Sequence, residues 1–284
     1  MCLSVFVAIN NTIGLIAGGG RLPFLIAAGA RQAGLKIVCA GLGNNPDPQL
    51  ANAVDYYTEV PLARPGTWIR KLKKQGVTDT IMVGKVRKEN LYSPKRILKY
   101  LPDWRAIRIY YWRLRKNNKI DQTILQAIAD ELACGGIILQ DSTKYCKEHL
   151  ADKGVMTRTK PSAGVQEDID FGWQMLKKIS ETGIGQAIAV KEKTVLAVEA
   201  VEGTGAMIER AGQLCRRGNW TLLKAPRPDL DVRFDVPCVG TETIESLNKN
   251  GGRSLVVEAG RTIIIDKPQT IELADKLGIA VIGC

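Results

Sequence analysis

The stretch from Ile13 to Leu42 constrains the fold more than any other. Ile13 to Ala17 (IGLIA) is a short apolar run of strand type, and Gly18, Gly19 and Gly20 follow it at once. Arg21-Leu22-Pro23 then open an apolar, alanine-rich segment that reads as a helix to about Gln32, with Gly34 as its stop. Lys36 to Leu42 is a second β-branched run. Strand, helix and strand in so few residues make a βαβ unit, and that unit requires a parallel sheet. A glycine turn at the C-terminal edge of such a strand lets backbone N–H groups approach a phosphate, with the helix dipole behind them. GGGRLP is neither G-x-G-x-x-G nor a Walker A loop, so a purely structural tight turn is the competing reading of Gly18, Gly19, Gly20 and Arg21.

The α/β texture continues. Val54–Val60 reads as a strand, Trp68–Gln75 as a helix and Thr80–Val83 as a strand ending at Gly84-Lys85. In an open α/β sheet, ligands bind beyond that edge, which makes Lys85 and Arg87 candidate phosphate contacts; a solvated loop is the alternative. Asp121 to Ala133 is a regular helix closed by Gly135 and Gly136, and a domain boundary between 134 and 135 follows. Beyond it, Ile137–Gln140 is a strand, Glu148–Ser162 is loop-like and Glu167–Thr182 is an amphipathic helix. Strands are expected at Gln186–Val190, Val195–Val201, Thr221–Lys224, Val232–Cys238, Ser254–Ala259, Thr262–Asp266 and Ile279–Ile282, with a helix at about Ala206–Ala211. Lys191 to Thr194 and Gly260-Arg261 read as hairpin turns. The expected architecture is therefore two α/β domains, the first on a parallel sheet and the second on a mixed one.

Bulk properties narrow the class. The 284 residues suffice for two cores, and 45% hydrophobic with 24% charged residues is a globular composition. No apolar run approaches the ~18–20 residues that span a bilayer, and the apolar start has no basic region of a signal peptide. Seven cysteines, scattered and never in a C-x-x-C pair, argue for buried thiols in a reducing compartment. The single histidine, His149, excludes chemistry that needs two and reads as a capping or surface residue.

The net charge of +11 is concentrated: Arg64 to Lys119 holds 17 Lys or Arg against 3 acids. Such a field attracts polyanions, whether nucleic acid, anionic lipid or phosphorylated substrate. Its densest part interleaves cations with Leu98, Leu101, Trp104, Ile107, Tyr110, Tyr111, Trp112 and Leu114. That pattern suits an amphipathic surface resting on a membrane, and equally a helix pair that packs its aromatics inward. No RNA-binding signature accompanies it.

Lys224 to Gly240, KAPRPDLDVRFDVPCVG, places Lys224, Arg227 and Arg233 beside Asp229, Asp231 and Asp235, with Pro226, Pro228 and Pro237 limiting the backbone. It reads as a loop running into a strand at Arg233–Cys238. Alternation along that strand would put Asp231, Arg233 and Asp235 on one face. Carboxylates interleaved with cations are what a magnesium-assisted reaction at phosphate needs. A surface loop of weak ion pairs is the plainer reading.

IGLIAGGGRLP (Ile13 to Pro23), GIGQAIAVKEKTVLAVEAVEGT (Gly183 to Thr204), RFDVPCVGTETI (Arg233 to Ile244) and VEAGRTIIID (Val257 to Asp266) stand in this order along the chain. Together they resemble UDP-2,3-diacylglucosamine pyrophosphatases of the LpxI type. The resemblance implies a Rossmann-like N-terminal domain, 1–134, and a C-terminal α/β catalytic domain, 135–284, with the substrate held between them. It implies Mg²⁺-dependent hydrolysis of UDP-2,3-diacylglucosamine to UMP and lipid X, in the cytoplasmic stage of lipid A synthesis. Asp235 or Asp231 is the implied metal ligand; held by both, Mg²⁺ would bridge the diphosphate and activate the attacking water, with Lys224 and Arg233 stabilising phosphoryl charge. Implied substrate contacts are Gly18, Gly19, Gly20, Arg21, Lys85, Arg87, Gln186, Glu202, Gly203, Thr204, Thr241, Thr243 and Glu258. Leu230 and Gly205 depart from the family pattern, where a Gln and an acidic residue are usual.

The basic aromatic segment would hold such an enzyme peripherally at the anionic face of the inner membrane. A non-catalytic nucleotide- or RNA-binding protein is the rival reading and predicts salt-sensitive binding without phosphorus chemistry. An NAD-linked dehydrogenase is disfavoured, because no acidic residue closes a dinucleotide fingerprint after Lys36–Leu42.

Overall fold

The structure, a computed structural model, describes residues 11–86, 101–109, 121–228, 230–234 and 236–284. The chain divides into two compact units. One comprises Met1–Tyr145 with Val232–Phe234, the other Cys146–Asp231 with Asp235–Cys284.

In the first unit the βαβ expectation holds. β1 (Thr12–Ala17), α1 (Leu22–Gln32) and β2 (Lys36–Leu42) are followed by β3 (Tyr56–Val60), α2 (Pro65–Lys74) and β4 (Asp79–Val83). The strands, all parallel, lie in the order β3-β2-β1-β4-β5, with β5 at Ile138–Leu139. β1 is buried from Ile13 to Ala17, as a parallel strand covered on both faces must be. α2 begins a turn before its expected start, because Pro65 occupies the first helical position, where a missing N–H costs nothing. Trp68, Ile69 and Leu72 from α2 pack with Leu132 of α4 (Asp121–Cys134) over Ile16, Val38 and Ala40. Since β5 pairs with β4, residues 135–145 lie in this unit, and the changeover falls after Tyr145.

Of the basic aromatic segment, residues 101–109 are described; the rest, including Tyr110, Tyr111, Trp112 and Leu114, lies outside the described residues. A short helix, α3 (Trp104–Arg108), is capped by Asp103, which accepts from Ala106 N (2.9 Å) and also from Gly66 N at the start of α2 (2.8 Å). Glu131 of α4 is only 1% exposed and takes both Arg105 and Arg108, the latter through Nε at 3.1 Å. Two charges of the segment are thus consumed internally. Leu101 and Trp104 remain 54% and 74% exposed.

The second unit carries a mixed sheet in the order β6-β13-β11-β9-β7-β8. β9 (Trp220–Lys224), β11 (Gly252–Val257) and β13 (Ala280–Gly283) are parallel. β7 (Ala187–Lys191) runs antiparallel to β9, β8 (Thr194–Val198) to β7 and β6 (Gly154–Val155) to β13. α5 (Ala163–Thr182) covers one face with Val165, Ile169 and Leu176 against Ile188, Val190 and Leu223. The other face packs α6 (Gly203–Leu214), α7 (Thr241–Lys249) and α8 (Lys267–Lys276) around Trp220, Leu222, Leu255 and Val281. Neighbouring residues of one strand, Leu222 and Leu223, therefore belong to opposite faces.

The first expected hairpin forms. Glu192 and Lys193 turn it with φ of 50° and 57°, and the buried Asp168 carboxylate accepts from both N–H groups, at 3.1 and 2.7 Å. That anchor replaces the glycine such a turn ordinarily wants. The second does not form. The chain turns at Gly260, but β12 (Ile263–Ile264) pairs in parallel with β10 (Cys238–Val239) rather than back onto β11. The strand expected over 232–238 shrinks to Cys238–Val239, and 232–234 is a turn. Cys39 and Cys146 are buried as expected, burial pushing the Cys39 thiol up to about 12, whereas Cys134 and Cys284 are exposed. His149 Nδ1 accepts from Lys267 N at the start of α8 (3.5 Å), a capping role. No helix among the described residues is long and apolar enough to cross a membrane.

Burial raises the Glu131 pKa, but hydrogen bonds from Arg108 and Arg105 outweigh it and hold the carboxyl below its ordinary 4.5. A depressed folded value stabilises the protein above the unfolded pKa, and that contribution is lost as pH falls through the folded one. Urea unfolding should therefore show wild type more stable than Glu131→Gln at neutral pH, with the gap closing as pH drops below the ordinary carboxylate range. A gap independent of pH would contradict the charged pairing.

Candidate functional site

In the first unit, the loops after β1 and β4 leave neighbouring strands at their C-terminal ends, where the strand order reverses. They are stitched together by backbone. Gly18 N donates to Val83 O (2.8 Å), Gly19 N to Lys85 O (2.8 Å) and Lys85 N to Gly19 O (2.8 Å). The N–H groups of Gly18 and Gly19 thus serve the protein itself. A Cβ on Gly18 would stand 2.7 Å from Gly84 and Lys85 backbone atoms, and Gly84 holds φ at +97°. These glycines permit the two loops to meet. Gly20 (φ +96°) turns the chain into α1, and Arg21 lies over the Phe24 ring, 5.2 Å from its centroid. The Lys85 side chain is exposed; Arg87 lies outside the described residues.

The second unit brings more of the expected residues together. Register places Ala187 opposite Lys224, Val257 opposite Lys224 and Ile188 opposite Val198. The ends of β8, β9 and β11 and the start of β7 therefore share one sheet edge, carrying Glu199, Lys224, Glu258 and Gln186. Backbone bonds fix it: Ala225 N donates to Gln186 O (3.0 Å) and Glu199 N to Ala187 O (2.9 Å). α6 begins at this edge, with Gly203 at φ +84°. Lys224 Nζ donates to Thr204 Oγ1 at 2.9 Å, and Thr204 Oγ1 donates to Glu199 Oε1 at 2.7 Å.

The remaining expected contacts have partners of their own. Glu202 pairs with Arg210 at 2.9 Å, and its own backbone N–H and Arg210 hold its carboxyl below the ordinary range. Thr241 opens α7, and Thr243 Oγ1 accepts from Gly240 N (3.4 Å), a helix-capping contact. Glu258 accepts from Arg261 Nη1 (3.2 Å), whose Nη2 reaches the Arg227 carbonyl (3.2 Å). Arg261 therefore ties the start of the proline-bracketed loop to the end of β11.

That loop departs most from expectation. Val232 O accepts from Ser142 N (3.2 Å), Arg233 Nη2 donates to Gln126 Oε1 (3.1 Å), and Phe234 packs against the core of the first unit. With 232–234 in a turn, the strand alternation expected to put Asp231 and Arg233 on one face is absent. The prolines and the anchored Phe234 explain the loss of the strand. Asp231 is half-buried; Asp229 and Asp235 lie outside the described residues. Among the described residues no three His, Cys, Asp or Glu side chains converge as a metal cage. Magnesium commonly takes one or two carboxylates and completes its shell with water and phosphate oxygens, so the hard oxygen donor of Asp231 suits it.

Glu199 and Arg261 escaped the sequence reading. Glu199 falls inside the strand expected over Val195–Val201, whereas β8 ends at Val198 and leaves it as the first residue beyond the strand.

The chain is an α/β protein of two units, and the second sets a lysine ammonium and a helix N-terminus at one strand edge, groups whose charge suits an anionic ligand. Residues 12–149 match the LpxI N-terminal domain and residues 152–282 the LpxI C-terminal domain. The chain therefore belongs to the LpxI family. It is 30% identical over 280 residues, 95% of this chain and 96% of the relative, to the UDP-2,3-diacylglucosamine pyrophosphatase LpxI of Caulobacter vibrioides.

Gly18→Ala should destabilise the protein by about 1–3 kcal/mol, the ordinary cost of overpacking, because its new methyl meets backbone rather than a side chain that can swing away. A urea midpoint equal to wild type would show that the two loops separate freely.

Proposed function

We propose that this chain is a hydrolase of UDP-2,3-diacylglucosamine, releasing UMP and 2,3-diacylglucosamine 1-phosphate for lipid A synthesis. The observation that carries the proposal is the family match across both units, supported by Lys224 at the C-terminal edge of β9. A diphosphate carries negative charge that grows on phosphoryl oxygens as a bridging P–O bond breaks. An ammonium fixed at a strand end meets that charge without reorganising. Lys224 is held by the strand on one side and by Thr204 on the other. Mg²⁺, where bound, supplies Lewis-acid polarisation of the phosphate. Asp231 would hold it, with Asp235 as the second carboxylate in sequence. Arg233, the further cation of the sequence motif, is oriented by Gln126 within the first unit.

The test is incubation of the purified protein with UDP-2,3-diacylglucosamine, with and without Mg²⁺, following UMP by mass. UMP release that needs the metal, falling about 10²–10³-fold in Lys224→Met and in Asp231→Asn, is the expected result. Salt-sensitive nucleotide binding with no UMP would favour the non-catalytic module instead.

Two acyl chains favour an apolar phase over water, so the reading includes peripheral association with an anionic membrane face. The exposed Leu101 and Trp104 support it, as apolar side chains in the most basic part of the chain. Co-sedimentation with vesicles containing anionic phospholipid should fall in Leu101→Ala/Trp104→Ala. Equal binding by that variant would remove these two residues from the membrane contact.

A further inference from the structure

Lys224, Thr204 and Glu199 form a hydrogen-bonded chain whose direction chemistry fixes. An ammonium has three donors and no acceptor, so the contact at 2.9 Å has Lys224 Nζ donating to Thr204 Oγ1. The threonine hydroxyl has one hydrogen, and it goes to Glu199 Oε1 at 2.7 Å. We infer that Glu199 is a positioning residue: its carboxylate orients the Thr204 hydroxyl so that the oxygen lone pairs face the lysine and hold its ammonium at the strand edge. This inference rests on the assignment of Lys224 to the phosphate chemistry above.

Three features separate this arrangement from ordinary packing. First, every member is anchored through its backbone. Lys224 ends β9, Thr204 stands in the first turn of α6, and Glu199 N donates to Ala187 O. Second, Glu199 is set by close approach. A Cβ on Gly185 would lie 1.9 Å from the Glu199 carbonyl oxygen, so glycine there lets the two backbones touch. Third, Glu199 Oε2 is buried and has no hydrogen-bond partner among the described residues. A buried carboxylate oxygen without a partner costs more than a neutral group in the same position, and capping the Thr204 hydroxyl needs only a neutral acceptor. Retaining a charged carboxylate suits a group whose field acts on a cation one hydroxyl away.

The variants Glu199→Ala, Glu199→Gln, Thr204→Val, Thr204→Ser and Glu199→Ala/Thr204→Val, with Lys224→Met for comparison, are assayed for UMP release from UDP-2,3-diacylglucosamine and for thermal midpoint. Glu199→Ala and Thr204→Val should each lower kcat by about tenfold or more while KM stays within about threefold. Thr204→Ser should regain most of the rate lost in Thr204→Val. The double variant should match the worse single one within about threefold, because the residues act as one unit. Glu199→Gln, which keeps an acceptor and removes the charge, should fall between wild type and Glu199→Ala.

The inference is overturned if Glu199→Ala and Thr204→Val turn over normally while Lys224→Met does not, an outcome that leaves the proposed function standing. It is also overturned if rate losses track a lowered thermal midpoint and Thr204→Ser recovers nothing, which is what a structural role predicts. No UMP from wild type would overturn the functional reading and this one together.

Discussion

A strand that is buried on both faces and hydrogen-bonded along both edges can present chemistry only at its end, and β9 is such a strand. Trp220, Thr221, Leu222 and Leu223 are all buried, split between two cores, and β7 and β11 take its two edges. Lys224 is the first residue at which a charged side chain can leave the sheet. The registers of β7 and β11 against it then decide the company it keeps. Gln186, Glu199 and Glu258 arrive at the same edge because their strands are bound to β9 or β7 in fixed alignment. The site is in this sense a consequence of strand pairing. Sliding a neighbouring strand by one residue would turn its side chains to the opposite face.

The first unit solves the same problem with glycine. Two parallel strands at a reversal of strand order deliver their loops to one place, and those loops must cross without side chains between them. Gly18, Gly19 and Gly84 let backbone meet backbone, and the resulting hydrogen bonds consume N–H groups that a phosphate-binding turn would present. A glycine-rich turn after a strand is thus ambiguous in sequence for a physical reason. Close approach to a phosphate and close approach to another loop demand the same residue.

Where sequence succeeded, the determining forces were local. Period and punctuation sufficed for β1, α1 and β2, since burial of a whole strand and a helix stop at Gly34 are written in consecutive residues. They also sufficed for the turn at Glu192-Lys193, although not for its anchor, because Asp168 lies on another element. Where sequence failed, a distant partner had won. The alternation in DVRFDV reads as a strand, yet Phe234 packs into the core of the first unit and Arg233 reaches Gln126, contacts that no window around residue 233 contains. The same applies to Gly260, whose following strand found β10 instead of its sequence neighbour. Charge is deceptive likewise. Arg105 and Arg108 belong to a strongly basic run, but a single buried carboxylate on α4 claims both.

The threonine interposed between Lys224 and Glu199 follows from what a phosphate site demands of its cation. A direct lysine–glutamate pair would hold the ammonium firmly, but the carboxylate would then compete with phosphoryl oxygens for the same protons, and its charge would cancel the field the ligand needs. A neutral hydroxyl in the middle engages one ammonium hydrogen and sets the negative charge one residue further back. The ammonium stays oriented, and the Glu199 carboxylate acts on it through the hydroxyl rather than by direct contact. The carboxylate contributes through the hydroxyl it polarises, since hydrogen bonds in series strengthen one another. Sequence cannot announce such a device, because its three members come from the end of one strand, the start of a helix and the residue after another strand, and only the sheet register makes them neighbours.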